Sequence, residues 1–232
     1  HERLVGSEMC IRDRFTPDWT GGISNTFSYR SLSLSFLIDA SVGGSIFSNT
    51  NKTGKYTGVL ANTLSGRDAE HGGLWYYTAA MGNNVRLPES PSYSVSSDGL
   101  YYAQVNGQST RVYQDGIMVE GVTESGSKNE EVVSAEKYYH RIYSIAEANV
   151  YDASYVKLRE VALSYRLPRL WTQKLHLQEA SVTLTGRNLW TIYKSVPNID
   201  PESALTTGNA QGVEAYSLPT TRSFGVNLSV KF

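Results

Sequence analysis

Alternation of apolar and polar residues is the strongest pattern in the chain, and it is clearest at the C-terminus. In the segment SFGVNLSVKF, residues 223–232, every even-numbered position is apolar and every odd-numbered position is small or polar. Successive side chains of a β-strand point to opposite faces, so this period of two predicts a strand with one apolar and one polar face. The pattern continues to the last residue, Phe232, although chain ends usually lose regular structure.

Four further strands are predicted from the same alternation. The first two are separated only by Arg30 and Ser31, which predicts an antiparallel hairpin with a tight turn. Just before the third strand, Val156 and Leu158 are apolar at even-numbered positions, whereas the strand itself has its apolar residues at odd-numbered positions. A β-bulge or the end of the apolar zone would explain this change. The predicted strands lie at about residues 23–29, 32–38, 161–167 and 180–190.

The long segment between about residues 43 and 150 lacks this alternation and is rich in Gly, Ser, Asn and Tyr. We interpret it as a loop with one short helix in SAEKYYHRIYSIAE. A structureless loop of this length is unusual unless it has a function. Farther along, RLWTQKL is expected to form one or two helical turns.

Three features favour a transmembrane β-barrel over a soluble β-sandwich. Ten residues at ~3.3 Å each and ~45° tilt span roughly the 25 Å apolar band of an outer membrane. The connections alternate between short and long, as in barrels with tight periplasmic turns and extended extracellular loops. Aromatic residues also fall near the strand ends, as in interfacial girdles. They are Trp190 and Tyr193 at one side, and Trp171 and Phe232 at the other.

Composition limits the remaining possibilities. The chain has 21 basic and 22 acidic residues, which gives no indication of a nucleic-acid partner. No run of 18 apolar residues is present, so no transmembrane helix is predicted. Five strands are too few to close a barrel, because single-chain bacterial barrels have eight or more. We therefore expect the chain to be a fragment, with no division of the strands into two domains.

The N-terminal segment 1–14 is expected to be non-native. LVGSEMCIRDR, residues 4–14, resembles the translation of a transposon-end adapter used for sequencing libraries, which matches ten consecutive residues from Leu4 to Asp13. Segments of this kind are excluded from reasoning about the fold. The single cysteine, Cys10, lies within it and carries no information about redox compartment. Native sequence is expected to begin near Phe15, and the true start to lie upstream.

Several ordered blocks together resemble the C-terminal end of the SusC/RagA-type TonB-dependent outer-membrane transporters of Bacteroidetes. The resemblance covers nearly everything after residue 15, and is weaker in the middle loop. The blocks that carry it are PDWTGGISNTFSYRSLSLSFLIDASVGG, YDASYVKLREVALSYRLP, TGRNLWTIYKSVPNIDPE and LPTTRSFGVNLSVKF.

The resemblance implies an all-β fold in which residues 15–232 supply about five C-terminal antiparallel strands of a 22-stranded barrel. It implies a place in the outer membrane of a Gram-negative cell and import of oligosaccharides or peptides. The implied partners are the lipid bilayer, a SusD-like surface lipoprotein, and TonB acting through an N-terminal region that this chain lacks. Phe232 would also be part of the signal read by the barrel-assembly machinery.

The residues give no indication of catalysis, a cofactor or a metal site. The histidines are scattered, and no nucleophile, phosphate-binding or dinucleotide motif occurs. The acidic pairs Asp68/Glu70 and Glu130/Glu131 are interpreted as solvated loop charge. We therefore expect that the protein is not an enzyme.

Aromatic residues of the long loop are the candidates for substrate contact, because aromatic faces stack on sugar rings and binding residues concentrate on loops. Packing of the loop onto itself or onto the lipoprotein is the alternative. Arg187, on the polar face of its strand, is a further candidate for contact with substrate or plug. The aromatic candidates are Trp75, Tyr76, Tyr77, Tyr101 and Tyr102.

Two other functions remain open from the sequence. A passive porin-like barrel would have the same strands without a plug or TonB coupling. A soluble β-sandwich, such as a glycan-binding adhesin module, would show the same alternation and would partition into the aqueous phase of a detergent separation.

Overall fold

The computed structural model describes residues 14–123, 125–174, 176–204 and 211–232. The adapter-like segment, apart from Arg14, lies outside these residues. The chain forms two compact units. Unit 1 comprises His1–Thr50 and Asn149–Phe232, and unit 2 comprises Asn51–Ala148.

Strands dominate the described part of the chain, and three short helices accompany them. The helices are α1 (Asn49–Thr57), α2 (Ala135–Ser144) and α3 (Arg169–Lys174). None of the helices in the described ranges has the length and apolar character that crossing a bilayer requires. The strands are β1 (Trp19–Tyr29), β2 (Leu32–Val42), β3 (Ser45–Ser48), β4 (Leu74–Thr78), β5 (Asn84–Arg86), β6 (Tyr93–Val95), β7 (Tyr101–Val105), β8 (Gln108–Ile117), β9 (Val133–Ser134), β10 (Val150–Asp152), β11 (Tyr155–Arg166), β12 (Glu179–Lys194), β13 (Val213–Glu214) and β14 (Ser223–Lys231).

Unit 1 is built on an antiparallel sheet of five long strands in the order β1-β2-β11-β12-β14. The strands predicted from alternation are all present in it. The β1–β2 hairpin turns through two residues, and Arg30 takes a left-handed backbone conformation with φ of 55°. The all-β fold class is therefore confirmed.

Two neighbouring rows of paired residues show that the faces of this sheet differ in chemistry. One row is apolar in every strand, and its side chains are between 40% and 74% exposed. The adjacent row, one residue along each strand, is entirely small and polar. The apolar row is Phe27, Leu34, Leu163, Leu184 and Val226, and the polar row is Ser28, Ser33, Ser164, Thr183 and Asn227.

A β-bulge in β11 resolves the parity problem of the sequence. The register of β11 against β2 shifts between Leu158 and Glu160, leaving Arg159 as the extra residue of β11. The register against β12 also shifts at this place, but there the extra residue belongs to β12. Leu158 pairs with Ile38 and therefore lies on the apolar face despite its even number. Of the two explanations left open by the sequence, the structure shows the β-bulge.

A small second sheet and an apolar core lie at one end of unit 1. In this sheet β3 pairs antiparallel with β10 and parallel with β13. The buried core next to it has four members, which side chains of the β10 region pack against. They are Ile46, Val196, Ile199 and Ala204.

Unit 2 corrects the interpretation of the long segment as a structureless loop. It contains a six-stranded sheet in the order β5-β4-β8-β7-β6, with β9 paired to β8. The predicted helix is present as α2, and the hydroxyl of Ser134 caps it by accepting the backbone N–H of Lys137 at 3.3 Å. The core of this sheet contains Trp75, Ala103 and Val112.

Candidate functional site

The polar face of the five-stranded sheet carries a buried cluster of charges, which we call the Lys157 cluster. It consists of Asp39, Lys157, Arg159, Asp200 and Glu202. The side chain of Lys157 is only 3% exposed, and its ammonium lies 2.5 Å from Oδ1 of Asp200 and 2.6 Å from Oε2 of Glu202. Because both carboxylates belong to the segment that follows β12, the cluster fastens this segment to β11.

Arg159 extends the cluster to a second strand, β2. Its guanidinium contacts Oδ2 of Asp39 at 2.7 Å and donates to both carboxylate oxygens of Glu202. The hydroxyl of Tyr155 donates to the same carboxylate at 3.0 Å. The bulge adds Arg159 to the strand, where it makes these contacts. Lys157 pairs with Asp39 and lies on the polar face.

The carboxylates of the cluster are held in their charged form. Burial alone would raise the pKa of Asp200, but hydrogen bonds from Lys157 and Thr220 outweigh it and leave this pKa lowered. Burial acts in the same way on Glu202, where hydrogen bonds from Arg159 and Lys157 lower the pKa. Thr220 donates to Asp200 through its backbone N–H at 3.1 Å and its hydroxyl at 2.6 Å. Asp200, which follows β12, is therefore hydrogen-bonded to Thr220, which precedes β14.

Glu214 forms a second buried polar site in unit 1, at the start of α1. Its side chain is fully buried, and it accepts hydrogen bonds from the hydroxyl of Ser48 at 2.8 Å and the hydroxyl of Thr50 at 2.6 Å. The backbone N–H groups of Thr50 and Ser217 also donate to it. Burial alone would raise the pKa of the Glu214 carboxyl, but these hydrogen bonds outweigh burial and lower the pKa. A carboxylate at a helix N-terminus is favoured by the helix dipole, so Glu214 caps α1 from 164 residues away.

The aromatic candidates of the long segment are mostly part of the core of unit 2. Trp75 is 7% exposed and stacks on Tyr93 with ring centroids 5.1 Å apart, while Tyr77 and Tyr101 pack against the same cluster. A ring enclosed in this way has no free face for a sugar. Substrate contact by these residues stays a prediction that the burial of Trp75 does not favour.

Tyr76 and Tyr102 lie on the opposite face of the unit 2 sheet. Tyr76 is 4% exposed, stacks on Tyr113 at 5.1 Å and donates its hydroxyl to Asp115 at 3.2 Å. Burial is the main cause that raises the pKa of Tyr76, and it also raises that of Asp115. Tyr102 pairs with Arg111 and is half-buried, so it keeps more accessible surface than Tyr76.

Arg187 lies on the polar face of β12 and donates to Oε2 of Glu160 at 2.8 Å. The side chain is 65% exposed, so the charge stays accessible despite the ion pair. Its contact with substrate or plug stays a prediction.

The four predicted interfacial aromatics lie at two opposite ends of the five-stranded sheet. Trp190 and Tyr193 lie near the end where Tyr155 begins β11, and both are more than half exposed. Trp171 in α3 and Phe232 after β14 lie at the other end, where they are 59% and 83% exposed. Their contact with a membrane interface stays a prediction.

Trp19 is a further exposed aromatic that the sequence reasoning missed. It opens β1, pairs with Val42 and is 57% exposed at the same end as Trp190. It shares the odd parity of Ile23 and Phe27, so extending the alternation four residues upstream would have found it.

Unit 2 contains two sizeable cavities. One, of about 660 Å³, lies beside Tyr56, whose ring stacks on His140 with centroids 4.0 Å apart. The other, of about 710 Å³, is lined by Arg86, Lys128 and Lys137 among others. Within the described residues, no group of three or more His, Cys, Asp or Glu side chains is arranged to hold a metal ion.

Comparison with known proteins identifies relatives of this fold. A TonB-dependent receptor, P3, of Formosa agariphila is 34% identical over 94 residues, which cover 38% of this chain and 9% of the relative. The RagAB peptide importer in its closed-closed state aligns over 95% of this chain with a TM-score of 0.50 and 18% identity. The chain is thus similar in sequence to a TonB-dependent receptor over part of its length, and its fold is similar to that of the RagAB importer. No protein-family model matches it.

The match to the transporters concerns only a part of them. The chain spans 9% of the length of the curated relative and 18% of the aligned importer chain. The structural likeness at this level of identity concerns the fold of the SusC/RagA-type barrel. A second RagAB structure aligns with a TM-score of 0.47 and 19% identity over 94% of this chain and 17% of that chain.

Proposed function

We propose that this chain forms the C-terminal part of the barrel wall of a SusC/RagA-type active transporter in the outer membrane. Its five long strands cross the bilayer, with the apolar row facing lipid and the polar row facing the lumen. The observation that carries this proposal is the register of the two rows, because both run unbroken through all five strands. Alternation of this kind is what a barrel between lipid and a polar interior requires.

Strand length supports this placement. The shortest of the five strands, β14, has nine residues. At about 3.3 Å per residue and about 45° tilt, nine residues rise about 21 Å, close to the apolar thickness of an outer membrane. The exposed aromatics at the two ends of the sheet would lie at the two interfaces. Phe232 would also serve the assembly machinery of the outer membrane.

The lengths of the connections support an orientation. The two-residue β1–β2 turn and the short α3 connection lie at the end of the sheet that would face the periplasm. The chain leaves β2 and returns to β11, and leaves β12 and returns to β14, at the other end of the sheet, which would face the cell exterior. The Lys157 cluster would then hold the outer segment against the barrel wall.

The cargo is proposed to be an oligosaccharide or a peptide, taken up together with a SusD-like surface lipoprotein and driven by TonB. The relatives support this proposal, since one is named a TonB-dependent receptor and the other a peptide importer. Both TonB coupling and a plug would come from parts of the transporter that lie outside this chain.

The proposal is tested with the full-length transporter in its native host. Outer and inner membranes are separated, the transporter is located by antibody, and uptake of radiolabelled oligosaccharides and peptides is followed with and without a protonophore. Location in the outer membrane, with uptake that stops when the proton-motive force collapses, supports the proposal. Uptake that survives the protonophore would instead favour a passive porin, and recovery in the aqueous phase of a detergent separation would favour the soluble module.

A further inference from the structure

The 710 Å³ cavity of unit 2 has an unusual distribution of charge. Its volume lies within the range of about 300–1,000 Å³ that is typical of small-molecule sites. Four cationic side chains line it, whereas only two carboxylates do so. We call it the basic cavity, and its cations are Arg86, Lys128, Lys137 and Arg141.

Three of these cations are not neutralised by the protein. Arg141 contacts Oε1 of Glu131 at 3.3 Å. Across the part of the chain that the structure describes, the ion pairs include none for Arg86, Lys128 or Lys137. In the Lys157 cluster, by contrast, both cations are bound by carboxylates. The basic cavity therefore keeps a positive potential that the fold itself does not use.

Three of the four cations are placed by regular structure. Lys137 and Arg141 are four residues apart on α2 and so lie on one face of a helix whose first turn Ser134 caps. Arg86 belongs to β5, where it pairs with the buried Tyr76. Side chains on rigid elements lose less freedom when they bind a ligand, which makes the arrangement suitable for recognition.

The rest of the lining favours an organic anion over an inorganic ion. Met118 and Val85 offer apolar contact, and the amide of Asn83 offers hydrogen bonds. Arginine binds carboxylates through two parallel hydrogen bonds, while lysine acts as a point charge. The cavity thus combines charge neutralisation with contact to a carbon skeleton.

We propose that the basic cavity is a binding site for carboxylate groups of the transported substrate. This inference rests on the proposed function, and it narrows the cargo to acidic oligomers. The carboxylates could belong to an acidic oligosaccharide or to an acidic peptide, which present the same chemistry to Arg86 and Lys137.

The test measures binding by calorimetry on the full-length transporter in detergent. The probes are tri-galacturonic acid and tri-glutamate, with maltotriose and tri-alanine amide as neutral counterparts. We expect the acidic probe of the correct backbone to bind, its neutral counterpart to bind at least tenfold more weakly, and the affinity to fall between about 0.05 and 0.5 M salt. Which acidic probe binds identifies the source of the carboxylates.

Variants connect binding to the cavity. Lys137→Gln and Arg86→Gln should each weaken binding about tenfold, because each removes a charge-assisted hydrogen bond. Lys137→Arg should retain it. Arg111→Gln is the matched control, since Arg111 lies over the ring of Tyr113 at 4.8 Å and does not line the cavity.

The inference is overturned if neither acidic probe binds, if neutral probes bind equally well, or if Arg111→Gln weakens binding as much as Lys137→Gln. Heat-modifiable migration in gels shows which variants are folded. If the binding test fails in one of these ways but uptake of neutral cargo still depends on the proton-motive force, only the proposal for the basic cavity is refuted. The proposed transporter function is then retained.

Discussion

The ammonium of Lys157 lies 2.5 Å from Oδ1 of Asp200, and the Lys157 side chain is 3% exposed. The pair joins a strand of the sheet to the segment that follows β12. We expect Lys157→Met to loosen this segment, with a loss of about 3–5 kcal/mol of local stability, because a buried carboxylate loses its counter-charge. Hydrogen exchange of the amides of residues 199–203 in the full-length transporter measures the effect.

The exposed pair of Arg187 and Glu160 provides the control for that measurement. Its side chains are 65% and 38% exposed, so Arg187→Met should cost less than about 1 kcal/mol. Equal protection of residues 199–203 in the wild type and in Lys157→Met would show that the cluster does not hold the segment.

Acid should release the same segment. The pKa values of Asp200 and Glu202 are lowered in the folded protein. Their contribution to stability is therefore complete above about pH 4, near which an ordinary carboxyl titrates. It is lost as the pH falls from there through the lowered pKa values of the folded protein. We expect the protection of Thr220, which donates to Asp200, to fall below about pH 4. Exchange rates corrected for the intrinsic effect of pH provide the measurement. In Asp200→Asn the protection should be lower at neutral pH and nearly independent of acid; an unchanged acid profile would contradict this account.

Alternation was sufficient to predict the five-stranded sheet, because each strand pairs along its full length and keeps one face apolar. Residues 223–232 were predicted as a strand, and β14 spans Ser223–Lys231. The irregularity of β11 was also visible in the sequence, because Val156 and Leu158 interrupt the alternation of apolar and polar residues. These features are local in sequence, so a window of ten residues contains the whole signal.

The buried polar sites could not be predicted in this way. Lys157 and Asp200 are 43 residues apart, and no local pattern relates them. In unit 2, most strands have only two to five residues, too few for alternation to be recognised. For the same reason, the sequence could not separate Trp75, which belongs to the core, from an aromatic residue that is open to a ligand.

The bulge at Arg159 should be dispensable for membrane assembly. Glu160 pairs with Leu37 and Leu158 with Ile38, so deleting Arg159 removes the extra residue and keeps Leu158 on the apolar face. We expect the deletion variant to appear as heat-modifiable protein in the outer-membrane fraction. Deleting Leu158 instead would bring Arg159 opposite Ile38, and an arginine on a lipid-facing surface costs up to about 2–4 kcal/mol at the midplane of the bilayer. Equal assembly of the two deletion variants would contradict this account.

Trp75 should be a core residue of unit 2. We expect Trp75→Ala to lower the stability of this unit by about 3–5 kcal/mol, because it removes a large ring from a closed cluster. Tyr102→Ala, at a half-buried position, should cost about 1 kcal/mol or less. Trypsin digestion of folded full-length protein over a temperature series compares the two. If Trp75→Phe reduces uptake while trypsin resistance is unchanged, Trp75 contacts the substrate after all.

The pairing of β3 with β10 has a consequence for how such a chain can diversify. Phe47 lies opposite Val150, so the chain leaves for Asn51–Ala148 and returns from it on adjacent strands of unit 1. A segment whose two attachment points are neighbours can be exchanged for one of a different length without altering the strands on either side. Residues 51–148 therefore form a natural cassette. Grafting between related transporters at positions 48 and 150 would carry over the whole of unit 2 while the strand register of unit 1 is retained.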